Sequence, residues 1–131
     1  MRAAAVQLNS QEDKDRNLEV AERLVRAAAA DRAELVCLPE KWTVLGSPEA
    51  LLAGAEPLDG PSLSAARGWA RELGIHLLAG SIAERVGGEE MLRNTSVLIG
   101  PDGEESATAS PSTSRRARRS SSARWAMPSS A

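Results

Sequence analysis

The beginning of the chain alternates between two apolar runs and one amphipathic stretch. The runs cover residues 3–8 and 35–39, and their lengths are typical of buried strands. Between them, over residues 17–30, apolar side chains recur at helical spacing while the charged ones lie away from that stripe. The order strand, helix, strand predicts a βαβ unit, whose crossover brings the two strands together in parallel. We therefore expect an α/β fold.

Further elements follow, each with a clear stop signal. Residues 40–57 are expected to form a loop with a short alanine- and leucine-rich turn. The spacing of apolar residues predicts a second helix over 63–73, which a glycine ends, and a third strand over 75–82. A fourth strand is predicted over 94–99, and the turn sequence Gly100-Pro101-Asp102-Gly103 closes it.

The composition is typical of a small globular protein from a reducing compartment. The length of 131 residues limits it to one domain, and the hydrophobic content of 42% is sufficient for a packed core. A single cysteine cannot form an internal disulfide, which predicts a cytoplasmic location. No apolar stretch approaches the roughly 20 residues that span a bilayer, and the first residues lack the apolar region of a signal peptide.

The sequence changes character after residue 104. All 18 acidic residues lie within residues 1–105, whereas residues 106–131 contain five arginines, nine serines and no Leu, Ile or Val. Such a segment buries too little apolar surface to offset the entropy lost on ordering it. We therefore expect an ordered domain over residues 1–104 and a disordered tail rich in Ser, Ala and Arg over residues 105–131.

The origin of this tail has three interpretations. The arginines clustered at 115–119 could neutralise phosphates, but no aromatic side chains are interleaved with them to stack on bases, which disfavours a nucleic-acid partner. The tail could also be a genuine variant terminus. A shifted reading frame in GC-rich DNA is favoured, because it explains the abrupt change to Ser, Ala, Arg and Pro.

Glu40 lies where α/β proteins place their ligands. It follows the apolar run 35–39, and Pro39 closes that strand because it lacks a donor N–H. Ligands of α/β sheets bind beyond the carboxyl ends of the strands. Glu40 is therefore a catalytic candidate, and the alternative is a carboxylate that is only solvated or caps a helix.

Several motifs surround this glutamate in a fixed order. They are Ala4-Ala5-Val6-Gln7-Leu8, Leu38-Pro39-Glu40, Gly60-Pro61-Ser62, residues 74–81 and residues 93–103. The series resembles the amino-terminal part of the nitrilase superfamily, the carbon–nitrogen hydrolases, and covers residues 3–104. The resemblance implies an α-β-β-α sandwich in which two sheets pack face to face with helices outside. Only the amino-terminal portion of that sandwich is expected here, so the fold is incomplete.

The resemblance also implies a mechanism. A glutamate, a lysine and a cysteine act together without a metal or a cofactor, and Glu40 matches the glutamate that serves as general base. The thiolate attacks a nitrile or amide carbon, the lysine stabilises the charge of the tetrahedral intermediate, and water releases the acid from the thioester. The complete parent would hydrolyse a non-peptide C–N bond of a small amide or nitrile and would be a homo-oligomer.

The lysine and the cysteine of that set have no counterpart in this sequence. In the family, an aromatic-Arg-Lys-x-His segment follows the Pro-Asp-Gly turn, and the nucleophilic cysteine comes later still. This chain has only Lys14, Lys41 and Cys37, all of which precede that turn. We therefore expect a truncated, inactive hydrolase that folds marginally and is poorly soluble, because missing strands leave apolar faces exposed. The alternative is a non-catalytic α/β module whose basic tail binds nucleic acid or an acidic partner.

The other candidate residues have structural interpretations. Cys37 lies in an apolar run, where cysteine is usually a small core residue, and strand alternation predicts that it points away from the glutamate. Lys41 is expected to be a solvated loop charge. The only histidine, His76, has no second ligand at metal spacing and is expected at a sheet edge or in a hydrogen bond. Trp69 is predicted in the core, and Trp42 either in the core or at the mouth of a pocket.

Overall fold

In the computed structural model, residues 1–110 are described, and strands and helices alternate along them. In chain order the elements are β1 (Ala3–Ala5), α1 (Lys14–Ala30), β2 (Leu35–Cys37), α2 (Pro48–Gly54), α3 (Pro61–Leu73), β3 (His76–Leu78), β4 (Ile82–Glu84), β5 (Arg93–Ile99) and β6 (Glu105–Ala109). The predicted α/β class is confirmed.

Local capping sets the first ends of α1 and α2. α1 begins at Lys14, three residues before the predicted start, because Asp13 accepts a hydrogen bond from the Arg16 amide at 3.1 Å. α2 occupies part of the stretch that was expected to be a loop. It forms because Ser47 caps its first turn and Pro48 fits the first helical position.

The boundaries of α3 agree with the turn residues on both sides. Pro61 lies in its first turn, and Gly74 ends it with a left-handed φ of 65°, a conformation that glycine adopts without strain. None of the helices within residues 1–110 combines the length and the apolar character that a membrane span requires.

The sheet begins with three parallel strands. Ala4 pairs with Val36, and Val36 pairs with Leu77, so β2 lies between β1 and β3. β1, α1 and β2 thus form the predicted βαβ unit. β5 continues the sheet antiparallel to β3, and it also pairs with β4 and β6. Glu40 therefore follows a strand in the interior of the sheet.

The predicted third strand, residues 75–82, is in fact two strands. β3 and β4 pair with different parts of β5. Between them, Gly80 adopts a φ of 48°, a left-handed conformation that interrupts the extended backbone. The apolar run conceals this break because Ala79 is fully buried and its amide donates to the Val97 carbonyl at 2.8 Å, as a strand residue would.

The expected start of a disordered tail at residue 105 is wrong. Residues 105–109 form β6 rather than the start of a disordered tail. The turn after β5 reverses the chain, with the Gly100 amide donating to the Glu104 carbonyl at 2.8 Å. Small residues such as Ala107 and Ala109 are not hydrophobic enough to indicate a strand. They form β6 because β5 supplies their backbone hydrogen-bond partners. The rest of the predicted tail, residues 111–131 with its arginine cluster, lies outside the described residues.

α1 and α3 pack on one face of the sheet and bury the core there. The strands contribute alternate side chains to this face, as their two-residue period requires. The core contains Val36, Leu77, Val97 and Ile99 from the sheet and Ala21, Val25, Leu63, Ala66, Trp69 and Ala70 from the helices. Aliphatic residues dominate it, in accord with a sequence that has no Phe and no Tyr.

The opposite face of the sheet is also apolar, and we call it the open face. The register places Ala5, Cys37, Leu78 and Leu98 side by side across four strands. An open depression of about 420 Å³ lies there, lined by Met1, Leu35, His76, Leu78 and Leu98. Because α1 and α3 occupy the other face, these leucines remain only partly buried.

The buried carboxylate of Glu56 joins two elements of the helix layer, α1 and α3. Lys14 of α1 donates to its Oε2 at 2.8 Å, and the amide of Ser62 in α3 donates to its Oε1 at 2.9 Å. The Ser62 hydroxyl also donates to Oε2. Gly60, the N-cap residue of α3, has no side chain to cap the helix, so Glu56 supplies the negative charge that a helix amino terminus favours.

The first prediction concerns the open face. Leu98→Thr should reduce light scattering and raise the soluble fraction, because it removes apolar surface that promotes association. Val97→Thr, one residue earlier but buried against the helices, should instead lower the free energy of unfolding by about 1–3 kcal/mol, since it buries a hydroxyl. Scattering and thermal unfolding of both variants test this, and equal scattering by Leu98→Thr and the parent chain would contradict it.

The second prediction concerns pH. Burial opposes ionisation of Glu56, but the Lys14 and Ser62 hydrogen bonds outweigh it and lower the pKa of this carboxyl in the folded chain. The folded state therefore binds fewer protons than the unfolded state. The ionised Glu56 accordingly makes its full contribution to the free energy of unfolding above about pH 4.3, the ordinary glutamate value. This contribution is lost as the pH falls through the lower folded pKa.

Glu56→Gln should therefore reduce the free energy of unfolding by about 1–3 kcal/mol at neutral pH and flatten its decline in acid. Glu19→Gln, an exposed position on α1, is the matched control. Denaturant unfolding between pH 3 and pH 7 provides the measurement, and an unchanged acid slope in Glu56→Gln is the contrary result.

Candidate active site

Glu40 lies in a turn directly beyond β2, at the carboxyl end of the parallel strands. We call residues 38–42 the Glu40 turn. The Glu40 side chain is exposed, and within residues 1–110 it makes no hydrogen bond or ion pair. The next residue, Lys41, has a φ of 50°, which is uncommon for a residue with a side chain. The carboxylate is thus presented to solvent from a backbone that other residues must hold in place.

The segment after β3 provides those contacts. The Lys41 amide donates to the Ser81 hydroxyl at 3.1 Å, and the Ser81 amide donates to the Pro39 carbonyl at 3.4 Å. The indole Nε1 of Trp42 donates to the Ala79 carbonyl at 2.8 Å. The turn is therefore bonded to the β3 end both before and after Glu40.

Asn17, a fully buried residue of α1, connects the loops that follow β1 and β2. Its side-chain amide donates to the carbonyls of Gln11 at 2.7 Å and Thr43 at 2.9 Å, and its Oδ1 accepts from the Gln11 amide at 3.0 Å. The carboxyl ends of all three parallel strands are thus tied together at one edge. The apolar periodicity of the sequence predicts a helix that begins at Asn17 but does not indicate this role.

Cys37 lies on the open face, because it pairs with Ala5 and Leu78. It is partly buried and lies outside the helix-side core, contrary to the expectation of an ordinary core cysteine. β2 ends at this residue, so the alternation rule that predicted its direction relative to Glu40 does not extend into the turn. The structure shows no contact between the thiol and the Glu40 carboxylate among residues 1–110.

Trp42 and Trp69 lie in the core. Trp42 is fully buried, and its ring centroid lies 6.0 Å from that of Trp69 at an angle of 56°. The core interpretation of Trp69 is confirmed, and of the two interpretations left open for Trp42 the structure supports the core. The aromatic pair fixes the last residue of the Glu40 turn against α3.

His76 is not at a sheet edge. β3 lies between β2 and β5, and the exposed imidazole of His76 lies in the depression of the open face without a hydrogen bond to residues 1–110. The expectation was wrong because an apolar strand does not reveal its place in the sheet. The part of the chain that the structure describes contains no group of three His, Cys, Asp or Glu side chains arranged to hold a metal ion.

The lysines of the chain do not complete a catalytic set with Glu40 in the described residues. Lys14 is engaged by Glu56 at 2.8 Å, in a different part of the fold. Lys41 is partly buried, and its ammonium has no ion-pair partner within residues 1–110. A further polar atom that sequence reasoning missed is the buried Oδ1 of Asn94 at the start of β5, which has no hydrogen-bond partner in residues 1–110.

Comparisons of the sequence give a family match and related amidases. The family model for carbon-nitrogen hydrolase matches residues 2–120. The omega-amidase NIT2 of Danio rerio is 38% identical over 102 residues, which are 78% of this chain and 36% of that protein. The deaminated glutathione amidase of Synechocystis sp. (strain PCC 6803 / GT-S) is 35% identical over 104 residues, 79% of this chain and 38% of that protein. The chain thus spans little over a third of the length of these relatives.

Solved structures share the fold. The NitFhit protein of C. elegans has a TM-score of 0.73 at 23% identity, covering 83% of this chain and 27% of that one. A mutant of the amidase from Nesterenkonia sp. AN1, which shows Michael addition of acrylamide at the active site cysteine, has a TM-score of 0.72 at 25% identity, with coverages of 85% and 44%. These matches confirm the predicted resemblance and the incomplete nitrilase-type α/β sandwich.

The third prediction tests the separation of Cys37 from Glu40. Glu40→Gln should leave the rate of Cys37 alkylation by iodoacetamide unchanged within about twofold, because a base raises the reactivity of a thiol only within hydrogen-bond reach. Intact-mass spectrometry over time measures the rate, and Glu49→Gln on the exposed side of α2 is the control. A marked fall in rate with Glu40→Gln alone would show that the two residues act as a pair.

Proposed function

Because the chain belongs to the carbon–nitrogen hydrolase family, we propose that Glu40 serves as the general base in hydrolysis of the C–N bond of a small amide. The observation that carries this proposal is the placement of Glu40. It is an exposed carboxylate at the carboxyl end of an interior strand, in a turn bonded to the neighbouring strand end on both sides. The names of the relatives, omega-amidase and deaminated glutathione amidase, support an amide substrate.

In this mechanism Glu40 takes the proton of a cysteine thiol, and the thiolate attacks the amide carbon. A lysine ammonium stabilises the oxyanion of the tetrahedral intermediate. The protonated carboxyl group then gives its proton to the leaving amine, and the C–N bond breaks to form a thioester. Glu40 next takes a proton from water, which attacks the thioester, and then returns this proton to the departing thiolate, so that the acid and the thiol are released.

We infer that the thiol and the ammonium come from residues other than Cys37 and Lys14. Lys14 is committed to Glu56, and Cys37 makes no contact with Glu40 in the described part of the chain. The 131 residues alone should therefore show no thioester chemistry. A homo-oligomer, a cytoplasmic location and the absence of a cofactor are further parts of the proposal, and they rest on the family resemblance and on the single cysteine.

The test begins with the encoding DNA. Sequencing through codons 100–131 and several hundred bases beyond, with translation in all three frames, should locate an aromatic-Arg-Lys-x-His segment and a later cysteine. We call the chain in which the amino-terminal residues continue into this segment and this cysteine the joined chain. It is then assayed with small ω-amides beside the 131-residue chain, which should be inactive.

In the joined chain, Glu40→Gln should lower kcat by about 10²–10⁴-fold, the usual contribution of a general base. Glu49→Gln, also exposed and near the same loop, should leave kcat unchanged. Full activity of the Glu40→Gln chain, or turnover by the 131 residues alone, would overturn the proposal.

A further inference from the structure

We propose that Gly80 and Ser81 are positioning residues that fix the direction of the Glu40 carboxylate. This inference rests on the proposed function, since it matters to catalysis only if Glu40 is the base. The Glu40 side chain has no hydrogen bond to residues 1–110, so its direction is set by its own backbone. Gly80 and Ser81, which lie shortly after the end of β3, hold that backbone in place.

The first contribution is steric. A Cβ at position 80 would lie 1.9 Å from the Pro39 carbonyl oxygen and 2.7 Å from that of Leu38. These are backbone atoms, so they can move away only if the whole turn moves. Gly80 also has a φ of 48°, which side-chain-bearing residues rarely adopt. Only glycine lets the β3 end approach the residue before Glu40 this closely.

The second contribution is a pair of hydrogen bonds from one buried residue. Ser81 donates its amide to the Pro39 carbonyl at 3.4 Å, and its hydroxyl accepts the Lys41 amide at 3.1 Å. Ser81 is only 4% exposed, so water does not readily replace either bond. These contacts lie on the two residues that flank Glu40, and together they restrain the peptide groups on both sides of it.

These contacts hold a turn whose backbone is strained at Lys41. Lys41 has a positive φ of 50°, and such backbone conformations persist only where the surroundings enforce them. A general base must lie within about 2.6–3.2 Å of the proton that it takes, and a misplacement of about 1 Å can reduce the rate by 10²-fold. Release of the turn would therefore impair the base without removing it.

The first experiment measures amide hydrogen exchange in the 131-residue chain by NMR. Ser81→Ala should accelerate exchange of the Lys41 amide about three- to tenfold, the effect of losing one hydrogen bond. Ser81→Thr keeps the hydroxyl and should restore the slow rate. Ser64→Ala, which removes an exposed hydroxyl on α3, should have no effect there. An unchanged Lys41 rate in Ser81→Ala would overturn the inference, and so would a uniform acceleration of amides throughout the chain.

The second experiment separates close approach from backbone strain. Gly74 also has a left-handed φ, 65°, but a Cβ there would meet nothing within 4 Å. Gly74→Ala and Gly80→Ala therefore impose the same kind of strain, and only Gly80→Ala should shift the NMR signals of residues 39–42. Equal shifts in that turn for both variants would count against the steric part. If Gly80→Ala does not fold, the serine variants still decide the matter.

The third experiment uses the joined chain. Ser81→Ala should lower kcat about tenfold or more while KM changes less than twofold, and Ser81→Thr should recover most of kcat. A fully active Glu40→Gln chain would overturn the proposed function. A chain inactivated by Glu40→Gln but with unchanged kcat in Ser81→Ala would overturn the positioning role alone.

Discussion

The close approach of two backbones at the carboxyl ends of β2 and β3 governs the candidate site. The Pro39 carbonyl lies where a Cβ of residue 80 would have to be, so the two strands can leave the sheet side by side only with glycine at that position. The left-handed Gly80 also turns the chain from β3 into β4 and brings Ser81 to the Lys41 amide. The division of the third strand and the placement of Glu40 are therefore two consequences of one local constraint.

The sheet is apolar on both faces, but only one face is covered by helices in the described residues. A sheet with one solvated face usually alternates apolar and polar residues, whereas a sheet covered on both faces is apolar throughout. Leu35, Leu78 and Leu98 follow the second pattern, although they line an open depression. The chain spans little over a third of the length of its curated relatives, and the solved structures of this fold match it over 27–44% of their own length.

The parts of the fold that the sequence predicts are those encoded locally. Glu40 was located because an apolar run and Pro39 mark the strand end within a few residues, and Gly74 marked the end of α3 in the same way. β6 was missed because its small residues become a strand only by pairing with β5. The interior position of His76 and the roles of Gly80 depend on contacts between distant segments, which neither periodicity nor composition encodes.

The chain fixes the position of Glu40 independently of the thiol and the ammonium that the proposed mechanism requires. The bonds that hold the Glu40 turn come from residues 78–81 and from the Ser10 hydroxyl, which donates to the Trp42 carbonyl at 3.5 Å, and none of them needs a nucleophile or an oxyanion-binding lysine. Lys14 forms an ion pair with Glu56 in the helix layer, and Cys37 lies in β2, where it pairs with Ala5. The chain therefore holds the Glu40 carboxylate in place while Lys14 and Cys37 occupy other parts of the fold. Under the proposed mechanism, activity would require a thiol and an ammonium beside this carboxylate.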